Sequence, residues 1–296
     1  MSTAIAILTY NRLHCLKESL SGILEHCGEC EVAVFDDASI DATPEFLESE
    51  EPHLRLKPHY NSLFESQEVP LARYTAFLGT RNLGVAGNSN RAIQWLMGTG
   101  ADHFLLCNDD LIISGNFAEE YRKAHQDLDI GLFCFNDFTD PAHESPVIPY
   151  RSTKLRIVPM MTGIMMSMTR ELVNTIGYFD TRFPKFGEEH SDYNNRAYLS
   201  GLIKIDSVPV RCVDIVSTNL RHQDVMSSIS AAEKGVYDIR ASEEMQRATI
   251  RYRRESHYRP FKLSSSGYAG GQGSIGLKVD NLYGYEDVSG YAGISD

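Results

Sequence analysis

A repeated alternation in the first half of the chain constrains its fold most. Short apolar runs at residues 4–8, 31–35 and 103–107 read as buried strands. Between them lie stretches with apolar residues at helical spacing: Leu13, Leu16, Leu20, Ile23 and Leu24 after the first run, and Ala92, Ile93, Leu96 and Met97 before the third. Strands alternating with helices in this way predict an α/β domain built on an open, mostly parallel sheet with helices on both faces. In such a sheet ligands bind in the crevice at the carboxyl ends of the strands, so the residues that follow each apolar run are the first candidates for a site.

A chain of 296 residues, 42% hydrophobic and 23% charged, is long enough for one large domain of this kind with an appendage. No apolar stretch approaches the ~20 residues of a membrane span. The N-terminus enters the first strand with no basic region and no cleavable apolar segment ahead of it, which makes a cytoplasmic protein the expectation. The cysteines at 15, 27, 30, 107, 134 and 212 are scattered, several in apolar runs where a thiol acts as a small hydrophobe, and a reducing compartment suits them. Cys27-Gly-Glu-Cys30 has redox or half-zinc-site spacing, but no second pair follows, and it reads as a loop. A formal charge of -12 argues against nucleic acid as a partner, because sequence-independent binding needs clustered Lys and Arg. A small anionic ligand held by a metal ion and a few donors remains compatible with it.

Further along, Thr43-Pro44-Glu45 has a helix-start composition, with Thr43 as cap. Residues 54–57 read as an edge-like strand and 58–78 show no assignable pattern. A helix is expected near 116–126, strands at 130–135 and 160–168, a short helix at 170–176, another to about residue 200, and strands at 203–205 and 210–216. The methionines at 160, 161, 165, 166 and 168 suit a core, or an adaptable acceptor groove. Residues 230–254 read as a charged helix whose Arg247, Arg251, Arg253 and Arg254 form a basic face, solvated or set against a membrane surface or anionic acceptor. From 263 to 296 the Gly, Ser, Tyr and Asp content predicts a flexible or irregular tail.

Four polar segments stand at strand ends or helix starts: Thr9-Tyr10-Asn11-Arg12, Asp36-Asp37-Ala38-Ser39-Ile40-Asp41, Arg81-Asn82-Leu83-Gly84 and Asn108-Asp109-Asp110. In order and spacing they resemble the family 2 glycosyltransferases, enzymes of the GT-A fold, over roughly residues 3 to 222. The resemblance implies a nucleotide-binding half to about residue 110, an acceptor half to about 222, and beyond it a helical extension (223–262) and the tail. It also implies a nucleotide-sugar site. Thr9, Tyr10 and the Asp36/Asp37 pair would hold the base, in the same turn as Arg12. Arg81 and Asn82 would sit beside the nucleotide, with Gly84 permitting close backbone approach. Asp109 would contact the ribose and Asp110 would ligate Mn2+ or Mg2+ on the diphosphate, although Asn108 replaces the family's first acid. His222 falls where several GT-A enzymes place a further metal ligand. The acceptor-side motif is met by Glu189-His190-Ser191-Asp192 and Arg196. His190 stands where many inverting members carry a carboxylate base; imidazole can do that work near neutral pH, with Glu189 and Asp192 as alternatives.

The function this implies is metal-dependent transfer of a sugar, from a UDP-sugar by first choice, to a hydroxyl on a glycan, a lipid-linked sugar or another acceptor, with inversion. Two other readings stay open. A nucleotidyltransferase shares the sheet and the paired acids, but usually carries a Gly-rich loop after its first strand, and residues 9–14 contain no glycine. A non-catalytic nucleotide-sugar-binding module would tolerate the substitutions at Asn108 and His190.

Overall fold

A computed structural model describes residues 1–49, 74–136, 146–151, 153–158, 161–181 and 189–223. The expected strand at 54–57, most of the unassigned stretch after it, and the extension and tail from 224 onward lie outside the described residues.

The alternation read from the sequence is present. Strand β1 (Thr3–Thr9) leads to α1 (Leu13–His26), β2 (Glu31–Asp36), α2 (Thr43–Glu48), β3 (Tyr74–Phe77), α3 (Gly84–Gly98) and β4 (His103–Asn108). These strands pair in parallel in the order β3-β2-β1-β4. Residues 4–8 of β1 and 104–107 of β4 are all buried, which explains why these strands are apolar along their length rather than alternating. Helix α3 packs on β1, β2 and β4, and α1 on β1.

The second half continues the sheet with mixed directions. After β5 (Leu111–Ile113) come α4 (Phe117–Leu128), β6 (Leu132–Phe135), the hairpin strands β7 (Ile148–Tyr150) and β8 (Thr153–Ile157), β9 (Met165–Thr169), α5 (Arg170–Ile176) and α6 (Glu189–Ser200). A small hairpin, β10 (Lys204–Ile205) with β11 (Val208–Pro209), precedes β12 (Val213–Ile215) and β13 (Leu220–His222). The nine-stranded sheet runs β3-β2-β1-β4-β9-β6-β12-β8-β7. Only β9 and β8 oppose the other strands. The carboxyl ends of β1, β2, β4, β6 and β12 therefore share one edge.

Several local expectations change. Thr43 is not a cap: it is the first residue of α2, and the side chain of Asp41 accepts its amide at 3.0 Å. The methionine strand is shorter than expected, because it is preceded by irregular chain in which Gly163 takes φ +75. Met165, Met166 and Met168 are core residues, so the groove alternative fails for them. Cys27 closes α1 and Cys30 follows in the turn. Burial pushes their thiols up to about 11 and about 12, the opposite of a reactive pair. Among the described residues no helix is long and apolar enough to cross a membrane.

Candidate active site

The loops after β1 and β2 form one stapled unit. Asn11, in the left-handed region at φ 53, donates its amide to Ser39 Oγ at 2.8 Å and accepts from the amide of Ile40 at 2.7 Å. The amide of Asp37 reaches the carbonyl of Thr9, and Asp41 accepts from the amide of Leu13 at the start of α1. Beneath them the buried Arg91 of α3 donates to the carbonyls of Asp36 and Phe77, which ties the ends of β2 and β3 to the helix. Gly79 is needed there, since a Cβ would stand 2.7 Å from the amide nitrogen of Ala38.

This unit gives three of the residues expected on the nucleotide base another task. Asp37 accepts the amides of Leu83 and Gly84 at 2.8 and 2.9 Å, anchoring the Arg81-Asn82-Leu83-Gly84 turn at the start of α3, where Gly84 has φ 75. Asp36 accepts the amide of Ser39 and is fully buried. Burial raises both carboxyls. Thr9 donates its hydroxyl to Asp109 at 2.6 Å. Tyr10, 42% exposed, and Arg81 remain open on the edge, and Asn82 is half-buried, its side chain accepting from the amide of Gly84 at 3.2 Å. Asp37→Ala should therefore act on the fold before it acts on ligands. Losing both acceptors at the head of α3 is expected to cost about 1–2 kcal/mol, read as a lower urea midpoint.

The acidic pair lies beside this unit. Asp109 and Asp110 follow β4, and the guanidinium of Arg12 spans them, with Nη2 2.7 Å from Asp109 and Nη1 2.6 Å from Asp110. Pairing of β13 with β5 sets His222 opposite Leu111 and brings its Nε2 to 3.5 Å from Asp110 Oδ2. The structure thus assembles Thr9, Arg12, Asp109, Asp110 and His222 from three separate segments. Burial, against Arg12 and Thr9, pushes Asp109 up to about 7. At Asp110 burial is again the largest influence and acts upward, but the hydrogen bond from His222 and the charge of Arg12 together outweigh it and hold this carboxyl low. Asp110 is the ionised member, and its Oδ1 is buried with no hydrogen-bond partner.

His190 reaches the same edge from α6. Its Nδ1 lies 3.0 Å from Glu189 Oε1. The ring rests on the backbone of Gly163, where a Cβ would come within 2.4 Å of it. Ile164, the next residue, accepts the amide of Asn108, which sets Gly163, with His190 resting on it, near the end of β4. Phe179 meets the imidazole edge-on at 5.4 Å and stacks on Tyr193. Asn90 of α3 clamps Phe179 through both its amide and its carbonyl. Asp192 pairs with Arg196 at 2.9 Å on its own helix.

Sequence reading assigned no individual role to Asn11, Ser39, Asn90, Arg91 or Gly163 in this architecture. The usable signal for two of them was the run Asn88-Ser89-Asn90-Arg91 inside an otherwise apolar helix, since polar residues on a buried face need partners.

Residues 4–141 match the family model described as Glycosyl transferase family 2. The chain is 22% identical to the Uncharacterized glycosyltransferase R363 of Acanthamoeba polyphaga mimivirus, over 69% of this chain and 75% of that one. Among solved structures, the mannosyltransferase PcManGT from Pyrobaculum calidifontis, in complex with GDP-Man and Mn2+, superposes with a TM-score of 0.55 at 19% identity, over 88% of this chain and 66% of that chain. TarS 1-349 of S. aureus in complex with UDP gives 0.50 at 16% identity, over 74% and 59%. At these identities the likeness establishes the fold, and it is the GT-A arrangement implied by the motifs.

Proposed function

We propose, from the premise that residues 4–141 are a domain of glycosyl transferase family 2, that this glycosyltransferase moves a sugar from a nucleoside-diphosphate donor to a hydroxyl acceptor at the edge formed by Asp110, His222 and His190. The observation that carries the reading is the ionised Asp110 with its buried, unpartnered Oδ1, next to His222. A hard carboxylate oxygen left without a donor suits Mn2+ or Mg2+. Among the described residues no group of three or more potential ligands forms a ready cage. Ions of this kind are commonly held by one or two carboxylates together with substrate phosphates. When bound, the ion supplies positive charge against the leaving diphosphate.

The rest follows from the chain's own groups. Tyr10 offers an exposed ring for the base to stack on, and Arg81 an exposed cation beside it. The Glu189 carboxylate, 3.0 Å from Nδ1 of His190, favours the tautomer with its proton on that nitrogen, which leaves the lone pair on Nε2. Nε2 then takes the proton of the acceptor hydroxyl as its oxygen attacks the anomeric carbon. The bond to the diphosphate oxygen breaks on the opposite face, with inversion. His190→Ala is expected to lower kcat by about 10^2–10^4-fold with little change in donor KM, measured by steady-state transfer assays.

UDP is the first choice of nucleotide, and GDP the second. The experiment that decides is thermal stabilisation of the protein by UDP, GDP, dTDP and CMP sugars, each with and without Mn2+. A metal-dependent rise with one nucleotide supports the donor site and names its base. No rise with any of them overturns the reading.

A further inference from the structure

Arg12 is bonded to the carboxylate on which the cation of the donor complex is expected. It is the residue just before α1, yet its side chain makes no capping bond, and Asp41 serves the first amide of the helix instead. The guanidinium is committed to the acidic pair: it is ion-paired with Asp109 Oδ1 at 2.7 Å and hydrogen-bonded to Asp110 Oδ2 at 2.6 Å. Of the remaining carboxylate oxygens, Asp109 Oδ2 is taken by Thr9 and Asp110 Oδ1 is unpartnered. The side chain is 32% exposed, whereas those of Asp109 and Asp110 are nearly sealed.

A divalent ion on Asp110 and a guanidinium bonded to the same carboxylate are like charges a few ångströms apart, close to low-dielectric protein, and repel strongly. One must leave. The ion has no second carboxylate pair to go to among these residues, but a guanidinium matches the paired oxygens of a phosphate as well as it matches a carboxylate. We propose that Arg12 is a cation gate: it neutralises Asp109 and Asp110 while the donor is absent, and must release Asp110 before a divalent ion can use it, so that metal binds tightly only with a nucleoside diphosphate to receive the guanidinium. Its departure also uncovers Asp109 Oδ1 for the donor. Metal and nucleotide affinities are then reciprocally coupled through one side chain. The proposal rests on the donor-site reading above.

Calorimetric titration of MnCl2 into the full chain, alone and with saturating UDP or GDP, tests it on wild type, Arg12→Met, Arg12→Lys and Asp110→Asn, each first shown to melt cooperatively. Wild type is expected to bind Mn2+ at least tenfold more tightly with its nucleotide than without. Arg12→Met, with no cation on the pair, should bind Mn2+ without nucleotide about tenfold more tightly than wild type, and Arg12→Lys should stay near wild type. Asp110→Asn should lose Mn2+ binding in both conditions. Equal nucleotide-free affinity in Arg12→Met and wild type, with binding lost in Asp110→Asn, overturns the gate and leaves the donor site standing. Failure of wild type to bind Mn2+ with either nucleotide, or unchanged binding in Asp110→Asn, overturns both.

Discussion

Asp110→Asn is expected to reduce kcat/KM about a thousandfold or more, roughly 4 kcal/mol of transition-state stabilisation, while moving the unfolding free energy by less than ~1 kcal/mol. The two effects separate because of how Asp110 is held. Arg12 and His222 hold the carboxyl low, so its ionised form adds to stability, but its buried Oδ1 has no hydrogen-bond partner in the folded protein and that half of the carboxylate adds nothing. The partners it would leave, Arg12 and His222, are each about one-third exposed, and Arg12 keeps Asp109. Amide in place of carboxylate removes the negative oxygen that a hard cation needs. A variant that melts like wild type and retains more than a tenth of its turnover would sink the assignment of Asp110. A variant that fails to fold would instead show that the acidic pair is structural.

The contrast with Asp37 explains what was legible in the sequence. Both are acids following a strand, and a sequence presents them alike. Asp37 has its oxygens filled by amides of Leu83 and Gly84, 46 and 47 positions away, whereas Asp110 has one oxygen that nothing fills. No local pattern encodes that difference, because it depends on where a distant turn closes. The same applies to Thr9, whose partner Asp109 is 100 residues away. His222 was reachable only through a family resemblance, and the structure supplies the reason for its position: three-residue strands β5 and β13 pair antiparallel and bring it to Asp110.

The fold itself was more legible where burial is continuous. Strands β1, β2 and β4 lie inside the sheet and read as unbroken apolar runs, and α5 begins at Arg170 and ends at Ile176 as its periodicity predicts. Strands β3, β5, β7, β8, β11 and β13 escaped notice. Each is at most five residues long, and the edge hairpin of β7 and β8 is largely exposed, so neither length nor alternation carries a signal there.

At the other end of the sheet, a buried chain of hydrogen bonds predicts how stability responds to acid. Thr3 meets His103 Nδ1 at 2.9 Å, His103 Nε2 meets Ser167 Oγ at 2.8 Å, Ser167 Oγ meets His125 Nε2 at 2.8 Å, and His125 Nδ1 meets the carbonyl of Ile130. The carbonyl can only accept, so His125 carries its proton on Nδ1 and Nε2 accepts from the serine hydroxyl. His103 must then donate from Nε2 to Ser167 and accept at Nδ1 from Thr3. One direction of donation satisfies the whole chain with both rings neutral. Burial lowers both histidines, His125 to about 4 and His103 well below its ordinary value. Between pH 6.5 and about 4 the unfolded chain binds protons that the folded one refuses, so this stabilisation is complete above pH 6.5 and is lost as pH falls through that window. For His125 alone the loss is ~3 kcal/mol at about 1.4 kcal/mol per pH unit. Asp109 acts with opposite sign, because a carboxyl raised to about 7 takes up its proton first in the folded state. The measurement must therefore compare wild type with His103→Gln/His125→Gln by urea denaturation from pH 7 to pH 4.5, which cancels Asp109. The double variant should start lower at pH 7, having lost a satisfied buried chain, and should lose less stability on acidification. Equal slopes in the two proteins would mean that these histidines are protonated in the folded state and that the one-way chain of donors is wrong.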